Sequence, residues 1–231
     1  MKKIILAIAL ITILPMTAFA DKTFYTAQQS NAQSGVIIVP LSKMNPSNET
    51  LSFLEQQKTK GYSIKESNDA IDMLKAGKQN YSNEINDTSD PTDTHMKSDL
   101  SKIKLAFQVK PIPFIKPIGF AVGGKYIENS GWTAISMFFN DKNIGACRYK
   151  LNNMKISDGA VLIPEETVQH DINNKITNIF VEGSVRSGFI YNVNWNDATY
   201  NHFLECANMK YDHNITSQMI ELAKKIDKNI S

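Results

Sequence analysis

The stretch FIYNVNWN, residues 189–196, alternates strictly between two kinds of side chain. Its odd-numbered positions are Phe, Tyr, Val and Trp, and three of its four even-numbered positions are Asn. Because successive side chains of an extended chain point to opposite sides, this pattern predicts a strand with one buried face and one polar face.

Further short strands are predicted on both sides of this stretch, separated by turns and not by long helices. They cover residues 100–109, 132–139, 144–151, 160–163, 176–182 and 200–211. Strands at this spacing indicate an antiparallel sheet or sandwich. Between residues 215 and 230, apolar side chains recur every three or four positions, which predicts an amphipathic helix across the sheet, capped by Asn214.

The region before these strands has a different character. Residues 35–87 predict a small α/β unit, with a buried strand at its start, helices ending near Gly61 and Gly77, and a weak edge strand over 80–86. Tyr62 and Ile64 are expected to point inward from a short strand between the two helices. Residues 88–99 are polar and contain Pro91, which is typical of a linker.

The predicted fold class is therefore α+β. A small N-terminal unit over 35–87 and a linker over 88–99 precede an antiparallel β domain with a C-terminal helix over 100–231.

The first twenty residues, MKKIILAIALITILPMTAFA, have the three regions of a secretory signal peptide. Two lysines precede an apolar run over 4–14, which is shorter than the roughly twenty residues of a membrane-spanning helix. The small residues Ala18 and Ala20 predict cleavage after Ala20, followed by a polar leader over 21–34. We therefore expect export to the periplasm or the exterior, without stable membrane insertion.

The charge balance argues against a nucleic-acid partner. The whole chain has 25 Lys and Arg, which fall to 23 without Lys2 and Lys3, against 23 Asp and Glu. A formally neutral mature chain lacks the overall basic character that sequence-independent nucleic-acid binding requires.

Cys147 and Cys206 are the two cysteines of the chain. An even pair in an exported protein predicts a disulfide, and a reactive thiol is the less favoured alternative because it suits a reducing compartment.

Catalytic motifs are missing from the sequence, so an enzyme is the weaker hypothesis. The four histidines show no metal-ligand spacing, and the GxxxxGK match at 119–125 lacks the following Ser or Thr that binds magnesium. No cofactor or metal is predicted. The alternative is an envelope hydrolase in which His202 or His170 acts beside a carboxylate such as Glu205.

A non-enzymatic binding protein is the leading hypothesis, with a protein, peptide or glycan as ligand. The segment KPIPFIKPIG, residues 110–119, alternates proline with apolar side chains, which predicts an edge strand or extended loop. Its apolar side chains are expected to cover the core, since most apolar segments are buried. The alternative is an exposed interaction patch, for which Pro113, Phe114 and Ile115 are candidates, and Trp195 is a further candidate. A secretion-machinery or host-directed factor is a third interpretation.

The signal-peptide interpretation makes a direct prediction. Intact-mass measurement of the exported protein should show a chain that begins at Asp21, because the small residues at 18 and 20 direct cleavage after Ala20. An exported chain that retains Met1 contradicts this interpretation.

Overall fold

The antiparallel sheet predicted around residues 189–196 is present in the computed structural model, which describes residues 35–78 and 90–230. The predicted signal peptide over 1–20 with its cleavage after Ala20, the leader over 21–34 and the edge strand over 80–86 lie outside the described residues.

Ten strands and four α-helices are found among the described residues. The strands are β1 (Val36–Val39), β2 (Ser63–Ile64), β3 (Pro117–Ile127), β4 (Gly131–Asp141), β5 (Gly145–Asn153), β6 (Val161–Pro164), β7 (Gln169–Ile172), β8 (Lys175–Ser184), β9 (Gly188–Asn196) and β10 (Tyr200–Asn208). The helices are α1 (Asn48–Lys60), α2 (Asp69–Lys78), α3 (Met154–Ser157) and α4 (His213–Ile230).

The main sheet has eight strands in the order β2-β8-β9-β10-β5-β4-β3, with β7 also paired to β8. Its pairs are antiparallel except for β2 with β8. Strands β1 and β6 form a separate parallel pair. This arrangement confirms the α+β class, with one large sheet and a C-terminal helix.

Strand pairing gives the main sheet two faces of opposite character. Cys206 lies opposite both Cys147 and Tyr191, whereas Glu205 lies opposite both Arg148 and Asn192. We call the face that carries the first three residues the apolar face, and the face that carries the second three the amide face. Because side chains alternate along a strand, every residue of β5, β9 and β10 belongs to one of these faces.

Helix α4 covers the apolar face. Met219, Ala223 and Ile226 are fully buried in one core cluster with the strand side chains. This confirms the predicted apolar stripe. The cap is Asp212 and not Asn214, because the helix begins one residue earlier and the Asp212 carboxylate accepts a hydrogen bond from the Asn214 backbone N–H at 2.8 Å.

Two smaller clusters cover the ends of the amide face. At one end, Ala70 of α2 packs against Ile190 and Ala207. At the other, Met154 and Ile176 belong to a cluster with β1 and β6. Elements on both sides of the predicted linker therefore contribute to one sheet, and the domain boundaries at 88–99 stay a prediction.

Residues 100–109 differ from the predicted strand. Leu100–Lys102 forms a 3₁₀ turn, and Leu105 makes an isolated bridge to Trp132. Ile103, Phe107 and Val109 nevertheless pack against the core. The alternating apolar side chains therefore do pack on the core, but they do so from an extended segment that has no hydrogen-bonded strand ladder.

One inward-facing side chain was predicted wrongly. Ile64 is 53% exposed, because β2 is a two-residue edge strand that turns Ser63 inward. Trp132 is only partly buried, because it lies at the start of β4, where its indole N–H reaches the Pro91 carbonyl at 3.0 Å.

Cys147 and Cys206 form a disulfide, as predicted. Their Cα atoms are 4.1 Å apart on directly opposed positions of β5 and β10, and both residues are buried. The bridge therefore joins two central strands beneath α4. Among the described residues, no helix is long and apolar enough to cross a membrane.

Removing the bridge should cost stability without abolishing the strand pairing. Closing a loop between residues 59 apart stabilises a fold by about 4 kcal/mol in the chain-entropy model. We expect a Cys147→Ala, Cys206→Ala variant to lose about this much unfolding free energy in urea titrations, and reduced wild type to behave alike. Thiol titration of the denatured, unreduced protein should find no free thiol, and two free thiols contradict the assignment.

Candidate ligand-binding groove

The proline-rich segment runs as an extended loop into β3 at the edge of the sheet. Prolines at 111, 113 and 117 provide no backbone N–H groups for strand pairing. The loop is held instead by Ile112, which is buried in the core, and by the Asn229 side-chain amide of α4, which donates to the Pro111 carbonyl at 2.9 Å. The loop therefore lies beside the C-terminal end of α4.

Three of the predicted patch residues lie in this loop. Pro113 and Phe114 are exposed, and the Phe114 ring keeps 48% of its surface accessible. Ile115 is partly buried and packs against the core. The loop thus presents one large aromatic side chain to solvent and anchors itself with its neighbours.

A groove of about 620 Å³ lies between this loop, the C-terminal half of α4 and the end of β4. Phe114, Ile115, Phe139 and Leu222 form its apolar part. The polar lining consists of Lys116, Asn140, Asp141, Lys225, Lys228 and Asn229.

The groove carries a net positive charge. Three lysines, Lys116, Lys225 and Lys228, line it together with a single acidic residue, Asp141. Among the described residues, none of these three ammonium groups has an ion-pair partner, and the Asp141 carboxylate already accepts two backbone N–H bonds, one of them from Ile144. The lysines are therefore available to an acidic ligand.

A second hollow of about 340 Å³ continues along α4. It shares Asp141, Leu222 and Lys225 with the first groove and adds Ser217, Gln218 and Glu221. Together, the two hollows follow about three turns of the helix, which is long enough for an extended segment of several residues.

Below α4, a network of buried polar side chains joins the helix to the sheet. The Asp227 carboxylate accepts hydrogen bonds from Trp195 Nε1 at 2.9 Å and from Lys175 Nζ at 2.6 Å. Asn173 donates to its other oxygen at 2.8 Å. Asp227 is 2% exposed, so these partners are what compensate its burial.

Trp195 is therefore a core residue and not part of an interaction patch. Its side chain is fully buried, and its ring stacks on the His202 ring with centroids 4.8 Å apart. The physical reason is the indole N–H, which has an acceptor inside the protein in Asp227.

His202 is the central titratable group of the network. Its Nε2 lies 3.3 Å from Asp197 Oδ2, and its Nδ1 lies 2.7 Å from the Tyr149 hydroxyl. An ionised carboxylate only accepts hydrogen bonds, so Nε2 carries the proton and Nδ1 accepts from Tyr149. His202 is 1% exposed, and burial lowers its pKa although Asp197 acts in the opposite direction.

The pKa values of Asp197 and Tyr149 are also shifted by their surroundings in this network. Burial acts to raise the pKa of Asp197, but hydrogen bonds from His202 and from the backbone N–H groups of Thr199 and Tyr200 hold it well below its usual value. Burial raises the pKa of Tyr149 far above its usual value. The carboxylate is therefore charged and the phenol neutral near neutral pH.

The hydrolase candidates His202 and Glu205 do not meet in one site. His202 lies on the apolar face, whereas Glu205 lies on the amide face and pairs with Arg148. His170 is exposed on β7. Glu166 accepts the backbone N–H of Leu41 at 2.9 and 3.0 Å and so holds the chain after β1.

Sequence reasoning missed Asp197, Asp227 and Lys175, which surround His202 and Trp195. Asp197 could have been identified from the sequence, because it lies five residues before His202 across the tight turn between β9 and β10. In the part of the chain that the structure describes, no cluster of three His, Cys, Asp or Glu residues is arranged to hold a metal ion. No protein-family model, curated protein or solved structure matches this chain.

The buried His202 should make stability depend on pH. Because its folded pKa is lowered, the unfolded chain binds a proton at higher pH than the folded chain does, so the stability is complete above about pH 6.5 and is lost as the pH falls. The unfolding free energy of wild type, measured by urea titration, should fall between pH 7.5 and 5.5 by at most about 1.4 kcal/mol per pH unit.

A His202→Gln variant should show a smaller fall over this range, since glutamine has no proton to gain. His170→Gln, which changes an exposed histidine, is the matched control and should follow wild type. Equal slopes for wild type and His202→Gln contradict the assignment.

Proposed function

We propose that this chain is an exported, non-enzymatic binding protein that holds an acidic, partly apolar segment of a partner protein in the groove beside α4. The observation that carries the proposal is the combination of an exposed Phe114 with three lysines around one hollow that have no ion-pair partner in the described part of the chain.

The apolar part of the groove supports a protein ligand. Phe114 remains half exposed although smaller apolar side chains of the same loop are buried. Large aromatic side chains beside a hollow are typical of the residues that contribute most to protein association. An apolar side chain of the partner would cover Phe114, Ile115 and Leu222.

The charges select the kind of partner. Lys225 and Lys228 are one turn apart on α4, and Lys116 faces them from the loop. Carboxylates of a bound segment would replace the water around these three ammonium groups. Such complementarity mainly sets specificity and the rate of association, so binding should weaken as salt increases.

Two observations support export. The sequence has the pattern of a cleavable signal peptide, and Cys147 and Cys206 are bonded to each other. Disulfides persist in oxidising compartments outside the cytosol. The hydrolase alternative has less support, since His202 is sealed beneath α4 and its carboxylate partner Asp197 serves the buried network.

Fluorescence anisotropy with a labelled peptide of alternating Glu and Leu residues tests the proposal. Wild type should bind this peptide, and a matched Lys–Leu peptide should not bind. Lys225→Glu together with Lys228→Glu should weaken binding by roughly tenfold or more, because the groove then repels carboxylates.

Lys58→Glu with Lys60→Glu is the control pair, since both lysines are exposed near the C-terminal end of α1. Phe114→Ala should weaken binding with an unchanged melting temperature, whereas Ile115→Ala should lower the melting temperature because that side chain packs on the core. No binding by wild type, or equal loss in both charge-reversed pairs, contradicts the proposal.

A further inference from the structure

Among the described residues, no apolar cluster covers the middle of the amide face, although both of its ends are covered. One row of directly opposed side chains crosses it from β8 to β4, and each of these side chains is partly exposed. The row consists of Asn178, Asn194, Phe203, Lys150 and Ser136.

Phe203 lies at the centre of this row. Its neighbours on adjacent strands are Asn194 on one side and Lys150 on the other. Unlike the other large apolar residues of β10, Phe203 belongs to none of the apolar clusters among the described residues, and the same is true of Phe138 in the adjacent row. Both rings are partly exposed and have polar cross-strand neighbours on the amide face, Asn194 and Lys150 for Phe203 and Arg148 for Phe138.

Lys150 provides a positive charge beside Phe203. The Glu205 carboxylate of the adjacent row is already paired with Arg148, and Lys150 has no ion-pair partner among the described residues. Burial lowers the pKa of Lys150 and Arg148 adds to this effect, although the Glu205 carboxylate acts in the opposite direction. A bound anion beside Lys150 would favour its charged form and so oppose both of these pKa-lowering effects.

Unused hydrogen-bonding atoms surround the same row. Asn201 donates to Asn194 and Asn196, which leaves Asn194 Nδ2 without a partner in the described chain. Arg148 Nε, Asn152 Oδ1 and Asn196 Nδ2 are buried there and also lack partners. Buried polar atoms without partners are uncommon, and a ligand or bound water is the usual explanation.

We infer that the open row of the amide face is a binding site for an acidic carbohydrate, a sugar that carries a carboxylate. The C–H side of one sugar ring packs on Phe203. Its carboxylate pairs with Lys150, and its hydroxyl groups exchange hydrogen bonds with Asn194 and Asn178, which both donate and accept.

The spacing of the row fits a ligand of this size. Neighbouring strands lie about 4.8 Å apart, so Lys150 and Asn194 flank Phe203 across roughly 10 Å. A neutral sugar would satisfy the amides but leave the Lys150 charge without a partner. An acidic peptide would pair with Lys150 but supply few hydroxyl groups for the row of amides.

Isothermal titration with a galacturonate tetrasaccharide tests the inference, with the neutral galactose tetrasaccharide for comparison. Wild type should bind the acidic sugar at least tenfold more tightly than the neutral one. Lys150→Met should remove about tenfold of this affinity, because it deletes the charge and keeps the length of the side chain. Lys155→Met, at an exposed lysine of α3, is the matched control and should bind like wild type.

Phe203→Leu should also weaken binding while thermal melts show a folded protein, since the ring lies outside the apolar clusters. Side-chain amide signals of Asn194 and Asn178 should shift on titration. The inference is overturned if wild type does not bind the acidic sugar, if Lys150→Met binds it equally well, or if the Glu–Leu peptide shifts these amide signals instead.

This site does not depend on the proposed function, because the groove and the open row lie on opposite faces of the sheet. The Lys225→Glu, Lys228→Glu variant should bind the sugar normally, and Lys150→Met should bind the Glu–Leu peptide normally. Loss of sugar binding is therefore distinguishable from loss of peptide binding.

Discussion

The alternation of side chains across β5, β9 and β10 is the constraint on which the rest of this structure depends. Each of these strands contributes one set of residues to α4 and the opposite set to the amide face. A shift of one residue between β5 and β10 would exchange the two sets of the shifted strand and turn either Arg148 or Glu205 toward the core. The disulfide between Cys147 and Cys206 opposes such a shift, because it joins the two strands at one pair of opposed positions.

The same alternation explains why a charged residue is buried beneath α4. Asp227 lies on the helix side that packs on the sheet, where an unpaired carboxylate would be strongly destabilising. Trp195 and Lys175 donate to it from β9 and β8, so its burial is tolerated at one position of the helix only. This fixes how α4 is rotated. Lys228, one position further along, is thereby turned outward to the groove.

Local patterns predicted the parts of the fold that depend on local chemistry. The Asn and aromatic alternation of residues 189–196 gave the correct strand and its two faces, and the prolines of 110–119 indicated a segment that runs as a loop into an edge strand. The expectation that its apolar side chains cover the core holds for Ile112 but not for Phe114, which is exposed. Trp195 was misjudged because the acceptor that buries it lies thirty-two residues further along the chain. The partner of His202 was also missed, since nearness in sequence suggested Glu205, which strand geometry turns to the other face.

Net charge is a further property that the fold redistributes. Without Lys2 and Lys3 the chain is formally neutral, yet Lys116, Lys225 and Lys228 gather on one face of the sheet and Arg148 with Lys150 on the other. Three of the carboxylates are used in ion pairs within the fold, since Asp227 and Glu205 are buried and Asp197 is partly buried beside Lys175. Burying acidic groups in ion pairs while leaving lysines at two open surfaces creates local positive potential without a basic composition. Neutrality therefore argues against a long polyanion, which needs a continuous basic surface, and is compatible with small acidic ligands that each meet two or three cations.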